Sequence, residues 1–471
     1  MKLQKKIDAL RPAAGKATEA FHFLFFCYVC LGFNNLTVGT KIISVFMWPT
    51  YLLGAAILAW RVLDYKRYIR MPGLLPLCLL CLSAGISLLL NRRYDPKGNL
   101  IHLIFWLFYF LILYVSGTDT PPQTLKKCFI FYFHAFCAVA FVLTAISFGM
   151  LAAGYGKEFT RGGDLVRQGY LGGRLFGAYQ TPNAGAIIGA LVTVGSVHFI
   201  RTCKNRLYTA AAAINIAAQF VYAVLSDSRS GRVCLGLCLG VYLFFVLCKR
   251  ENASPGRSVL ALALAAAVTA GGFFLPKWSQ LAYNAAVIST QRDREQRGDD
   301  VQDPTQEDED EPFVIGRKES LEGDFSNRRL DFWKSGLELF LRKPVFGLTF
   351  KGFLPYAKEY LPDTYLVTND YMQMNTLDND VINLAVSCGL AGLLPFFAFV
   401  FVVLRRLWLF LRRKAEKDPL LPLLLSVCAG AAAASMFTSG VLYMQCQYSF
   451  LFWLALGLTM RMAAGPKEEK S

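Results

Sequence analysis

Long apolar stretches recur along almost the whole chain, and they constrain its fold more than any other feature. A helix needs about 20 apolar residues to cross the hydrocarbon core of a bilayer. Charged residues make up only 17% of the 471 residues, against about a quarter in soluble proteins. The pattern predicts an all-α, polytopic membrane protein with about 12 transmembrane helices. We place them near 20–38, 41–60, 73–90, 98–116, 128–153, 183–200, 207–225, 232–248, 258–276, 381–404, 420–440 and 444–461.

One polar interruption divides these stretches into unequal groups. Within it, residues 293–323 are so densely charged that we expect a disordered insert, because such a segment cannot bury enough apolar surface to order itself. A cation-binding or partner-binding tail is the alternative. A helix is predicted over 330–341, ended by Pro344. The predicted parts are an N-terminal membrane bundle of about nine spans (1–276) with short external loops at 154–182 and 226–232, a large external loop (277–379), and a C-terminal bundle of about three spans with a cytoplasmic tail (380–471).

The net charge of +16 follows the ends of the predicted spans. Lysine and arginine are concentrated in the segments that the predicted topology puts on the side of the membrane opposite the large loop. Cytoplasmic loops of membrane proteins show the same bias. We therefore predict both termini in the cytoplasm, the large loop outside, and no nucleic-acid partner. The basic clusters are Lys2 to Lys16, Arg61 to Arg70, Arg201 to Arg206 and Arg405 to Lys417.

The thirteen cysteines do not indicate a metal centre. The pairs Cys27/Cys30 and Cys78/Cys81 have CxxC spacing but lie inside apolar stretches, which favours packing over metal binding. We find no phosphate-binding loop, dinucleotide fingerprint or zinc-ligand cluster. The sequence therefore predicts neither a cofactor nor a bound metal.

Three arginines fall in segments that this topology puts on the same, external side. Arg174 precedes the sixth span, Arg229 lies between the seventh and eighth, and Arg329 lies in the large loop. Arginine stays charged and grips phosphate oxygens with a planar fork, so the three together would suit the head group of a lipid pyrophosphate. The alternative is that each arginine only anchors the end of a span.

Asp378, Asn379 and Asp380 stand where the large loop returns to the membrane. A carboxylate there could act as a general base on an acceptor hydroxyl, or could bind a divalent cation, with Asp363 and Asp370 as further ligand candidates. The alternative is a helix N-cap, a position that Asp and Asn both favour.

Four local motifs resemble the O-antigen ligase and O-antigen polymerase superfamily, over about residues 170–400. Their order and spacing, together with the hydropathy layout, carry the resemblance. They are Gly173-Arg174…Gly177…Pro182-Asn183; Ser226-Asp227-Ser228-Arg229-Ser230-Gly231; Arg329-Leu330-Asp331-Phe332-Trp333 with Lys343-Pro344-Val345-Phe346-Gly347; and Asp378-Asn379…Gly389-Leu390-Ala391-Gly392.

The resemblance implies metal-independent glycosyl transfer from an undecaprenyl-pyrophosphate-linked glycan to an acceptor hydroxyl at the outer face of the cytoplasmic membrane. The acceptor would be a glycan, a lipid or a protein, and the enzyme a polymerase or a ligase. It implies Asp378, Arg329 and Arg229 as catalytic residues. Arg174, Asn183, Trp333 and Asn379 would bind the substrate.

One position departs from the family pattern, because Asp378 stands where these proteins usually carry the histidine that is the candidate base. A carboxylate can also accept a proton, particularly if burial raises its pKa. A transporter or flippase of a lipid-linked saccharide and a non-catalytic envelope assembly partner are the alternative functions. Transporters usually place ionisable residues inside their spans, whereas the spans of this chain contain almost none.

Overall fold

The computed structural model describes residues 2–248, 255–297, 313–316, 328–369, 376–413 and 418–464. Most of the predicted acidic insert, and Asp370, lie outside these residues. The helices are α1 (Lys2–Gly32), α2 (Ile42–Leu63), α3 (Tyr65–Tyr68), α4 (Leu74–Leu90), α5 (Pro96–Phe108), α6 (Ser116–Asp119), α7 (Pro122–Ala152), α8 (Pro182–Thr202), α9 (Arg206–Ser226), α10 (Arg229–Leu247), α11 (Pro255–Arg297), α12 (Arg329–Arg342), α13 (Phe353–Tyr360), α14 (Tyr365–Thr368), α15 (Asp380–Leu411), α16 (Leu421–Ala434) and α17 (Gln447–Ala463), with a π-helical turn (Tyr109–Leu113) after α5.

Each predicted apolar stretch coincides with one of these helices or with the α5–α6 segment. Among the residues that the structure describes, eight segments are long and apolar enough to cross a membrane, and α4 and α16 are shorter apolar helices. The chain is therefore a polytopic membrane protein, while the number of twelve spans stays a prediction. The eight are 42–63, 96–119, 122–152, 182–202, 206–226, 229–247, 256–291 and 380–411.

The loop between α7 and α8 corrects the all-α prediction, because it folds into a three-stranded antiparallel sheet. Its strands are β1 (Gly156–Arg161), β2 (Asp164–Leu171) and β3 (Arg174–Gly177), in the order β1-β2-β3. The turns contain paired glycines, Gly162-Gly163 and Gly172-Gly173, all with positive φ. Such backbone suits glycine and closes tight hairpins. Hydropathy over a 20-residue window does not detect strands this short.

The connection between α1 and α2 is hydrogen-bonded to this sheet and to the residues that follow it. Asn35 donates its backbone N–H to Ala178 O at 2.8 Å and its side-chain Nδ2 to Tyr179 O at 2.6 Å. The same amide also donates to Arg167 O on β2. The polar connection between the first two helices therefore holds the sheet through hydrogen bonds from Asn35.

Helix α8 lies at the centre of the bundle and is buried along most of its length. Its glycines allow α9 to approach closely: a Cβ added at Gly185 would meet Tyr222, and one at Gly189 would meet Gln219. Small residues at such positions are typical of helix packing in membranes. As a result the start of α8 lies beside the end of α9, and the two carry parts of the candidate site.

A break in α15 at Gly389 (φ 61°, ψ −158°) is filled by a segment of the large loop. Pro344 O and Val345 O accept hydrogen bonds from Leu390 N (2.8 Å) and Ala391 N (2.9 Å). On the other side of the break, Leu348 N and Thr349 N donate to Val386 O (2.8 Å) and Ser387 O (3.0 Å), completing a backbone seam of four bonds. Within a bilayer, backbone groups freed at a break must find partners in the protein. The two motifs Lys343–Gly347 and Gly389–Gly392 are thus two sides of one contact.

The described part of the large loop has a small apolar core of its own. Phe332 and Leu339 of α12, Phe353 of α13 and Leu366 of α14 are buried together against Val386 of α15. The predicted helix at 330–341 is confirmed as α12. This core, together with the seam at Gly389, fixes α12 over one end of the bundle, with Arg329 at its start.

Candidate active site

Arg174 on β3 connects the sheet to the start of α8 and the end of α9. Its guanidinium donates from Nε to Ser226 O at 2.7 Å and from Nη2 to Asn183 Oδ1 at 2.9 Å. The side chain is 7% exposed. Two of the predicted site residues, Arg174 and Asn183, are therefore in direct contact.

Asn183 Oδ1 also accepts a hydrogen bond from Ser228 Oγ at 2.9 Å. Ser228 is the N-cap of α10, where its Oγ accepts from Gly231 N at 3.1 Å. Serine is among the preferred residues at this position because it satisfies a free N–H of the first helical turn. Arg229, the next residue, is consequently fixed at the start of α10.

Arg229 and Arg329 come from segments a hundred residues apart and lie within electrostatic range of each other. The pKa of Arg329 is lowered because the guanidinium is buried; the Asp378 carboxylate opposes this effect, and the positive charge of Arg229 adds to it. Two cationic side chains held together in a partly buried place favour binding of an anion.

Asp378 faces Arg329, with 3.9 Å between Arg329 Nε and Asp378 Oδ2 and side-chain exposures of 15% and 23%. Burial raises the pKa of Asp378, and the Arg329 charge offsets part of the increase. A carboxylate with a raised pKa next to a cation has the properties required of a general base.

The N-cap of α15 is Asn379 and not Asp378. Asn379 Oδ1 accepts from Val381 N at 2.9 Å and Ile382 N at 3.1 Å, and its Nδ2 donates to Met436 O at 3.0 Å. Asp378 stands one residue before the cap with φ 50°. The capping alternative thus applies to Asn379, while the Asp378 side chain faces Arg329.

Two side chains hold the turn that precedes Asp378. Trp333 Nε1 donates to Leu377 O at 3.0 Å. Asn383 Oδ1 accepts from Leu377 N at 3.1 Å, and its Nδ2 donates to Thr376 Oγ1 at 3.1 Å and Ser439 Oγ at 2.6 Å. Sequence reasoning missed Asn383, although its position four residues after Asn379 puts both on one helix face. No local pattern could have found Ser439.

Asp380, the third polar residue of this group, is directed into the protein. Its Oδ2 accepts from Val441 N at 3.1 Å and Leu442 N at 3.0 Å, and its backbone N–H donates to Ser435 O at 2.9 Å. Asp380 therefore holds the connection between α16 and α17 against the start of α15. It does not share the surroundings of Asp378.

Among the described residues, no group of three or more His, Cys, Asp and Glu side chains could hold a metal ion. The four histidines lie in helices α1, α5, α7 and α8. His22 Nε2, for example, pairs with Ser116 Oγ at 2.9 Å, and His102 is stacked between Phe350 and Tyr443.

The arrangement offers two cations and one carboxylate at one end of the bundle, brought together by the sheet, α10, α12 and the start of α15. The family model described as O-Antigen ligase matches residues 214–397. The match runs from α9 into α15 and includes Arg229, Arg329 and Asp378, whereas Arg174 and Asn183 precede it. No curated protein matches the chain. The match confirms the resemblance that the motifs indicated: residues 214–397 are similar to the O-antigen ligase family.

Proposed function

We propose that the protein is a glycosyltransferase that moves a glycan from undecaprenyl pyrophosphate to an acceptor hydroxyl. The observation that carries the proposal is the convergence of Arg229, Arg329 and Asp378 from three separate segments at one end of the bundle. Cations suit the pyrophosphate of the donor, and a carboxylate suits the hydroxyl of the acceptor.

Arg229 and Arg329 bind the pyrophosphate in this proposal. The two positive charges repel each other, and burial disfavours the charged form of Arg329. An anion placed between the two guanidinium groups offsets both effects. Negative charge grows on the pyrophosphate as it leaves, so the guanidinium groups stabilise the transition state more than the ground state.

Asp378 accepts the proton of the acceptor hydroxyl. The bond between the anomeric carbon and the pyrophosphate oxygen breaks, and its electron pair leaves with undecaprenyl pyrophosphate. The acceptor oxygen forms the new bond to the anomeric carbon while its proton passes to the Asp378 carboxylate. The atoms and charges balance without a redox step, and the proposal requires no cofactor.

The backbone at Asp378 gives a physical reason why aspartate can replace the histidine of the family. The residue has φ 50°, a left-handed conformation that few side chains adopt readily. Aspartate, asparagine and histidine are several-fold enriched there. A base can therefore change between histidine and aspartate at this position without a change of the backbone.

The remaining predicted site residues are best described as positioning residues. Arg174 and Asn183 form hydrogen bonds to each other and to the turn that carries Arg229. Trp333 and Asn379 do the same for the turn that carries Asp378. We propose that they hold the three reacting side chains in place and do not act on the substrate directly.

The proposed location is the cytoplasmic membrane, with the site on its outer face. The sheet, α12 and the start of α15 lie at one end of the bundle. The basic residues Lys66, Arg201 and Arg206 lie at the opposite ends of their spans, as cytoplasmic basic residues do. Donor and acceptor would then meet at the outer face of the cytoplasmic membrane.

The experiment that tests the function uses the full chain purified in detergent, with undecaprenyl-pyrophosphate-linked glycan as donor and the glycan, lipid or protein of the host surface as acceptor. We expect each transfer to release one undecaprenyl pyrophosphate and to enlarge one acceptor, measured by mass spectrometry and gel mobility. Recovery of intact donor, or its movement across a vesicle bilayer without cleavage, would favour a transporter and contradict the proposal.

A further inference from the structure

Arg232, one turn into α10, is a cation that the proposed reaction does not use. Its side chain is 7% exposed, and its Nε has no hydrogen-bond partner among the described residues. The guanidinium carbon lies 5.3 Å from the centre of the Phe273 ring. The Asp227 carboxylate, which is in electrostatic range, pairs with Lys277, with 3.6 Å between Oδ1 and Nζ. A buried guanidinium with incomplete hydrogen bonding is costly in the free protein.

An apolar groove begins beside Arg232 and runs down the bundle between α10 and α11. Its volume is about 710 Å³. Along α10 it extends from Val233 to Phe245, or about 18 Å at the rise of an α-helix. Phe273, whose ring lies beside the Arg232 guanidinium, is one of its lining residues. Leu262 and Phe274 on its wall are exposed, so the groove is open on the outside of the bundle.

We propose that this groove binds the polyprenyl chain of the donor and that Arg232 binds the phosphate nearest to that chain. The inference rests on the proposed function and specifies how the donor lies. A polyprenyl pyrophosphate has a long apolar body that ends in an anion, and the groove has a long apolar wall that ends in a cation. Arg229, at the start of the same helix and in electrostatic range of Arg232, continues the cationic path from the groove to the reacting groups.

Close packing of α10 on α11 keeps the groove shallow and continuous. A Cβ added at Gly240 would meet Thr269 Oγ1, and one at Gly272 would meet the Cα of Gly236. The two helices therefore touch along their glycines, and the larger side chains stand on either side of this contact. The polyprenyl chain of the donor would lie in the groove along these small residues. Ala266 and Ala270 are among the residues that line the groove.

The test measures binding, so that it does not depend on transfer. The full chain in detergent is titrated with undecaprenyl pyrophosphate and, separately, with the short farnesyl pyrophosphate. Ala266→Trp places a ring in the groove, and Ala267→Trp is the matched control, because Ala267 is exposed on the same helix but does not line the groove. Ala270→Leu is a second, smaller obstruction. Thermal unfolding confirms that each variant is folded.

We expect Ala266→Trp to weaken undecaprenyl pyrophosphate binding about tenfold, the loss that follows when about two methylene groups lose their contact. Farnesyl pyrophosphate binding by Ala266→Trp should change less, and the Ala267→Trp control should bind both like wild type. Arg232→Gln should weaken the binding of both compounds. Equal binding by Ala266→Trp, Ala270→Leu and the control would contradict the proposal that the groove binds the polyprenyl chain. Unchanged binding by Arg232→Gln would contradict the proposal that Arg232 binds the phosphate.

A phospholipid is the other occupant that the test must separate. If an anionic phospholipid competes as well as undecaprenyl pyrophosphate at equal concentration, the groove is a general lipid contact and the proposal fails. If the wild type binds undecaprenyl pyrophosphate in the groove but transfers no glycan, the groove stands and the proposed function fails. If transfer proceeds and Ala266→Trp equals its control in binding and rate, the function stands and the groove fails.

Discussion

At the scale of single residues, the proposed chemistry depends on the pair of Arg329 and Asp378. The positive charge of Arg329 favours the charged form of the Asp378 carboxylate, whereas burial favours the protonated form. The net effect is a raised pKa, so Asp378 binds a proton more readily than an exposed aspartate does.

Substitutions at Asp378 test whether it is a base. We expect Asp378→Asn to lower kcat by about 100- to 10000-fold, the usual contribution of a general base. Asp378→His should keep more activity, because histidine tolerates the left-handed backbone and can accept a proton. A purely structural role predicts the opposite order, since asparagine has nearly the shape of aspartate.

The pH dependence of the same variants gives a second measurement. The wild-type rate should fall as the pH falls through the pKa of Asp378, because only the carboxylate accepts a proton. Since that pKa is raised, the midpoint should lie above the ordinary aspartate value of about 3.9. The residual activity of Asp378→Asn should lack this fall. An unchanged acidic limb in Asp378→Asn would assign the titration to another group.

At the scale of elements, helices were predictable where apolar residues run long enough. The predicted 330–341 became α12 (Arg329–Arg342), and the predicted return at 381 became α15 (Asp380–Leu411). Both follow from local signals, periodicity and a terminating proline. Helix α11 continues from the membrane through the expected boundary at 276/277 to Arg297.

Two features of the fold were missed, the break in α15, which depends on contacts distant in sequence, and the sheet, whose strands are short. In the sequence, the motif Gly389-Leu390-Ala391-Gly392 is typical of small-residue helix packing. The break in α15 is explained only by Pro344 and Val345, whose carbonyl groups accept the backbone N–H groups freed there. The sheet at 156–177 is too short and too polar to register in a hydropathy window. Of the candidate site, the arginines and Asp378 were predicted from residue type and motif and stay predictions, whereas Asn383 and Ser439 are joined only by the fold.

At the scale of the whole molecule, a site at the outer face of the membrane requires that the sheet and the basic ends of the spans lie on opposite sides of the membrane. Lys157 on β1 and Lys66 after α2 are both exposed lysines. In intact cells, Lys157→Cys should react with a membrane-impermeant maleimide and Lys66→Cys should react only after lysis. The parent chain gives the background from its thirteen cysteines. The reverse pattern would put the site on the cytoplasmic side.

The central claim is that two arginines and one carboxylate form a single transfer site for a pyrophosphate donor. The most direct measurement is kcat for glycan transfer by purified Arg329→Ala, beside Arg342→Ala at the other, exposed end of the same helix. We predict a loss on the order of 100- to 1000-fold for Arg329→Ala, as when a donor to developing negative charge is removed, and a wild-type rate for Arg342→Ala. Equal rates for the two folded variants would contradict the account.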